Sequence, residues 1–225
     1  MIPYRDDNPT SIFPFVTIGI IALNISVYLW EFLSPAGIDR IAYTFGAIPY
    51  NLLSLEKTQP LHPLATVFSS MFLHGGLLHL AGNMLYLWIF GNNIEDRLGH
   101  LRFFLFYIFA GIVAAYAHAI TSPRSFIPMI GASGAVSGVL GAYILLFPHA
   151  SVHTIIFFGF FWQIIKVPAI IVIGFWAIIQ FVNGIITKGL LNEGGVAWFA
   201  HIGGFIFGLF TIRLWLPKRR YRGWL

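Results

Sequence analysis

GASGAVSGVLGAY, residues 131–143, opens on a serine set between small residues and runs on as an apolar helix, with Pro128 just ahead of it. Glycine inside a helix is unfavourable by up to about 1 kcal/mol relative to alanine. A span that merely faced lipid would therefore not carry Gly131, Gly134, Gly138 and Gly141. Spaced three, four and three apart, they form one stripe along which another backbone can pack at short range. Ser133 sits at the edge of that stripe in the first turn, where free amides and the positive end of the helix dipole favour a developing negative charge. These are surroundings that suit a nucleophile.

Working outward, the whole chain asks for lipid as its solvent. Of 225 residues, 58% are hydrophobic and 9% charged, with a mean hydropathy of +0.80, which excludes an ordinary water-soluble domain. The formal charge of +5 does not point to nucleic acid, because the excess is concentrated in Arg213, Lys218, Arg219, Arg220 and Arg222 behind an apolar run. A cytoplasmic flank against anionic lipid accounts for it. No cysteine is present, so there is no thiolate nucleophile and no Cys-based metal site. The first apolar run follows MIPYRDDNPT, is closed by no small-residue cleavage pattern, and is read as a retained span.

Apolar stretches of about 17 to 25 residues match a bilayer core of roughly 30 Å, and six are expected: 14–33, 75–90, 101–120, 132–147, 168–187 and 196–216. Residues 34–73, broken by Pro35, Pro49, Pro60 and Pro63, are too punctuated to span and too apolar for a free linker, so they are expected to lie in the interface. The predicted fold class is thus all-α: one polytopic domain over 1–225, six spans, a long interfacial first loop and short cytoplasmic tails at about 1–12 and 217–225. With the N-terminus inside, nine cations fall on the inner side against four outside, as cytoplasmic enrichment of Lys and Arg requires. Spans two, four and six then all start in the outer leaflet. Those three starts hold most of the polar atoms within the spans.

His201 lies in the first two turns of span six, with Gly204 and Gly208 three and seven residues on, hence on its own face. Packing the two glycine stripes together would bring His201 to Ser133. A serine hydroxyl becomes a useful nucleophile when a base about 2.6–3.2 Å away takes its proton, and imidazole suits that task. Taken singly, Ser133 reads more readily as a small packing residue and His201 as an interhelical donor. Glycines on both helices and a common depth reverse that reading. His79 and Asn83, four apart on span two, could stabilise charge on a carbonyl oxygen together with the Ser133 amide, although without the serine the better reading would be that they bond backbone carbonyls across helices. There is no HExxH, the spaced histidines lack a completing carboxylate, and no span holds an acidic pair. No metal or other cofactor is expected, and the catalytic unit would be a dyad. Glu95 and Arg97, on the inner loop after span two, lie at the wrong depth for catalysis and read as cytoplasmic capping or loop-fixing residues. Phe175, Trp176 and Phe181 in span five read as lipid-facing bulk or an aromatic anchor.

The arrangement resembles the rhomboid intramembrane serine proteases over essentially the whole chain. It rests on six spans, a long first loop, HxxxxHxxxN from His74 to Asn83, GASGA from Gly131 to Ala135 and AHIGG from Ala200 to Gly204. The resemblance implies Ser133 as nucleophile, His201 as general base and acid, and His79 with Asn83 as oxyanion stabilisers. It implies a transmembrane helix as substrate, entering near spans two and five and cut where it unwinds close to the outer surface, without ATP or metal. One position departs from well-known members: an aromatic residue four after the nucleophile stacks on the histidine there, whereas Ser137 stands here. Another aromatic neighbour, or the glycine stripe, would have to hold His201. Two readings from other classes stand beside the protease: a small solute transporter or channel, and a non-catalytic chaperone of membrane helices. Against the transporter, the sequence is read as having neither an internal repeat nor an intramembrane acidic residue to couple ions. A prokaryotic plasma membrane is the expected location, with both termini cytoplasmic; substrate identity and oligomeric state leave no trace in the sequence.

Overall fold

A computed structural model of the chain describes residues 2–159, 161–189 and 196–217. The chain starts in a strand, β1 (Ile2–Asp6), and passes Pro14 into α1 (Phe15–Leu33). The proline-punctuated segment folds as three short helices, α2 (Ile38–Phe45), α3 (Pro49–Ser54) and α4 (Pro63–Ser70). The last two begin on proline, which has no amide to leave unpaired at a helix start. Then follow α5 (Leu77–Leu98), α6 (His100–Thr121) and α7 (Ser133–Leu146). A hairpin, β2 (Ser151–Phe158) and β3 (Phe161–Pro168), leads into α8 (Ala169–Gly189) and α9 (Trp198–Trp215).

α7 is the axis of the bundle. Every residue from Gly134 to Tyr143 is buried, with α5, α6, α8 and α9 packed around it. Its contact with α9 is backbone against backbone. A methyl group added at Gly204 or Gly208 would fall on the carbonyl oxygen of Gly134 or Gly138, and one at Gly141 would fall on that of Phe205. Gly134 and Gly138 also admit Ala114 and Ala110 of α6, whose Cβ atoms would stand 2.6 and 2.5 Å from such a methyl. Small residues on both sides are therefore what sets the α7–α9 separation.

Four helices, α1, α6, α8 and α9, are long and apolar enough to cross a membrane. α7 is apolar but has only 14 residues, about 21 Å at 1.5 Å per residue. Enclosed by its neighbours, it need not match the bilayer thickness. α5 is long but polar at its far end, where it continues two turns past the expected stop at Phe90. That extension is held by specific partners. Glu95 accepts from the amides of Val16 and Thr17 at 2.9 and 2.8 Å and from Thr17 Oγ1 at 2.7 Å, so a carboxylate on α5 caps the start of α1. Its other neighbour is His100 Nδ1 at 2.6 Å. Asp96 does the same for the approach to α1, accepting from the Ser11 and Ile12 amides and the Ser11 hydroxyl. α5 then stops at Gly99, whose φ of +77° turns the chain straight into α6.

The expectation of an all-helical chain gives way to a mostly helical one with a three-stranded antiparallel sheet, in the order β1-β2-β3. The stretch SVHTIIFF is rich in β-branched and aromatic residues, and Gly159 at φ +61° supplies the turn. The segment expected as a free N-terminal tail forms β1, in register from Ile2 opposite Ile155 to Asp6 opposite Val152. Asp6 accepts from the Tyr143 hydroxyl and from Asn93, fastening the sheet beneath α7 and α5. Burial pushes the Asp6 carboxyl up, whereas hydrogen bonds from Lys166 and His153 hold that of Asp7 below its usual range. Lys218, Arg219, Arg220 and Arg222, four of the cations behind the expected orientation, lie outside the described residues.

Candidate active site

The starts of α5, α7 and α9 share the end of the bundle opposite the sheet. Gly131, with φ +122°, carries the chain into α7 while its amide donates to the Ser70 carbonyl at 2.8 Å. Ser133 is then the first residue of the helix. Gly131 takes no part in the α7–α9 contact. A Cβ there would stand 2.7 Å from His79 Nε2 and 3.6 Å from Ser133 Oγ, so the glycine is what lets the His79 ring sit beside the serine.

Ser133 Oγ and His201 Nε2 are 2.8 Å apart. On the other side of the ring, His201 Nδ1 lies 2.8 Å from Gln180 Oε1, on α8. The amide of Gln180 is oriented by its own nitrogen, which donates to the Trp176 carbonyl one turn back at 3.3 Å. Its oxygen therefore faces the imidazole. An amide oxygen can only accept, so Nδ1 carries the proton and Nε2 presents its lone pair to the serine hydroxyl. That is the tautomer a general base needs.

Two tryptophans flank the same ring. Trp198 meets His201 edge-on, centroids 6.0 Å apart at 89°, and Trp176 lies 6.2 Å away at 38°. Trp176, expected as lipid-facing bulk or an anchor, is thus part of the site wall, while Phe175 and Phe181 are exposed on the outside of α8. Ser137, at the position of the departure noted above, is buried and donates to the Ser133 carbonyl at 2.6 Å. The role of a stacking aromatic passes to residues of α8 and α9.

Asn83 and His79 face the site from α5. Asn83 Nδ2 is 3.0 Å from His74 Nε2. His74 Nδ1 lies 3.3 Å from the Phe72 carbonyl and so is the protonated nitrogen, leaving Nε2 to accept from Asn83. One amide proton of Asn83 is used in this way and the other remains. The His74 backbone amide in turn donates to the Glu31 carboxylate at 3.1 Å. Glu31, fully buried on the last turn of α1, is an acidic residue inside the bundle that the sequence reading passed over.

A cavity of about 1050 Å³ opens onto these groups, lined by His79, Asn83, His118, Ser133, Trp176 and His201 among others. α5 and α8 wall it from two sides without packing closely on each other. Of the residues missed in sequence, Gln180 left the clearest signal: it is one of two amides in a helix that is otherwise apolar up to Thr187, and in lipid such a group demands a partner. His118 left none, since only folding turns it toward the cavity.

Fold and site together define a polytopic helical membrane protein with a serine–histidine pair at the mouth of a cavity between helices. Residues 62–218 match the family model of the rhomboid domain, and the chain belongs to the rhomboid family. It is 31% identical over 216 residues to rhomboid protease GluP of Bacillus subtilis, covering 96% of this chain and 37% of that protein. It is 32% identical over 149 residues to the mitochondrial rhomboid protein 1 of Saccharomyces cerevisiae, covering 64% and 40%. With RHOMBOID-like protein 4 of Arabidopsis thaliana it shares 33% over 159 residues, covering 71% and 36%. The chain spans less than half the length of each of these relatives.

Proposed function

We propose that this chain is an intramembrane serine endopeptidase that cuts the transmembrane segments of single-pass membrane proteins. The observation that carries the reading is the 2.8 Å approach of Ser133 Oγ to His201 Nε2, in a tautomer suited to accept its proton. Ser133 Oγ attacks the scissile carbonyl as its proton passes to Nε2. The oxyanion is met by the Ser133 amide, free at the start of α7, with the remaining Asn83 proton and His79 beside it. His201 then returns the proton to the departing amine, leaving an acyl-serine. Water, deprotonated by His201, hydrolyses the ester and regenerates the hydroxyl. The gap between α5 and α8 supports lateral access of an unwinding helix from the bilayer. The reading includes six crossings, cytoplasmic termini and a prokaryotic plasma membrane, so that the site lies toward the outer face.

A fluorophosphonate probe tests the nucleophile in bilayer nanodiscs. Modification confined to Ser133, read by peptide mass spectrometry, is the expected result. No adduct, or an adduct on another serine, overturns it. A panel of single-pass segments, incubated with the protein and sequenced after cleavage, then reads the substrate class.

Within this reading Gln180 is a positioning residue. Gln180→Leu removes the acceptor for Nδ1 and is expected to lower kcat about 10- to 100-fold with KM unchanged. Gln180→Glu keeps an accepting oxygen at that place and should retain most of the rate. Equal loss in both variants, or a change in KM alone, would mean that Gln180 only fills space.

A further inference from the structure

The β2–β3 hairpin has a polar root and an apolar tip. At the root, β1 joins the sheet, and Asp7 binds His153 and Lys166 at 2.6 and 2.8 Å. β1 reaches only as far as Ile155, so among the described residues the outer half of the hairpin is two-stranded. From Thr154 to Ile165 the sequence holds no charge and five aromatic residues, Phe157, Phe158, Phe160, Phe161 and Trp162. Phe161 is 80% exposed and its neighbour Trp162 is 64% exposed. Adjacent strand residues point to opposite faces, so both faces of the tip are bare.

In water such a structure is unstable and hazardous. A lone two-stranded hairpin is marginal, and an uncharged aromatic edge invites pairing with other chains. Soluble edge strands carry lysine, proline or inward charges against this, and the tip has none of them. The root, meanwhile, is tied to a membrane helix: β3 ends at Pro168 and α8 begins at Ala169, where exposed Ile170, Ile171 and Phe175 start a lipid-facing surface. The apolar tip stands at the far end of the strand that leads into that helix, with Ile164 exposed between them. Its open edges exclude the hydrocarbon core, where unpaired amides find no partner. The headgroup–acyl boundary fits both demands, since aromatic rings partition there and water still reaches the backbone.

We infer that the aromatic tip of the β2–β3 hairpin is a membrane-contact element that inserts into the interface of the leaflet in which α8 begins. It anchors the sheet, and through Asp6 the base of α7, at a set depth. The inference is independent of the catalytic reading, and so is its test.

The chain has no cysteine, so a single one can be labelled. A nitroxide at Phe161→Cys, in nanodiscs of phosphatidylethanolamine and phosphatidylglycerol, is read by power saturation against oxygen and a water-soluble nickel chelate. A label at Ile178→Cys on the exposed face of α8 provides the lipid reference. Oxygen accessibility close to that reference, with nickel accessibility several-fold below that of free label, is expected. Phe157→Cys reads the facing strand, so failure of one variant to fold leaves the other. Nickel accessibility equal to free label, placing the tip in water, overturns the inference. So does dipolar broadening that disappears on dilution with unlabelled protein, which would place a second copy there.

Discussion

Ser133→Ala and His201→Ala are each expected to lower the single-turnover rate on a single-pass substrate in proteoliposomes by three or more orders of magnitude, about what general-base and nucleophile deletions remove elsewhere. The double variant should be no slower than either, because the two groups act as one unit. Neither change disturbs the frame around them. The bond from Ser137 goes to the backbone carbonyl of Ser133 and survives removal of the hydroxyl. His201 is held by Gln180 and two tryptophans that pack against other parts of α8 and α9. Asn83→Ala, which removes one oxyanion donor, should fall less far, about 10²- to 10³-fold. Wild-type turnover in either dyad variant, with folding verified by circular dichroism, would remove the protease assignment.

Gly208→Ala is expected to damage the protein through packing alone. The added methyl would lie on the Gly138 carbonyl oxygen, and both partners are helix backbone, so relief comes only by moving α9 away from α7. Overpacking of this kind is unfavourable by about 1–3 kcal/mol, sometimes more. For a chain of this size that is a fall in Tm of roughly 2 to 12 °C. The same motion draws His201 from Ser133, so probe labelling should fall with stability. Gly174→Ala is the matched control: nothing lies within 4 Å of its added methyl, and α8 should gain slightly from the better helix former. Equal Tm for the two variants would show that α7 and α9 do not depend on this contact.

Much of the fold was legible because lipid imposes simple rules. Long apolar runs between polar breaks located α1, α6, α8 and α9 to within a residue or two. Glycines at helical spacing on two segments pointed to a close crossing, and a serine and a histidine beside them pointed to each other. The hairpin was missed because it falls in the connection at 148–167 between two expected spans, and hydropathy, which located the spans, carries no strand-pairing signal. The end of α5 was missed because its polar residues read as loop until partners on β1, on α1 and just ahead of α1 were seen to receive them.

By itself the sequence determined the solvent, the helical character of the chain and the residue types available for chemistry, since hydropathy and short-range spacing are local properties. Only the tertiary structure decided which polar groups meet: Gln180 with His201, Glu31 with His74, His74 with Asn83, Asp6 with Tyr143. Those pairings join segments far apart in the chain, and their partners are chosen by how buried backbones pack and by the need of each buried donor and acceptor for a mate.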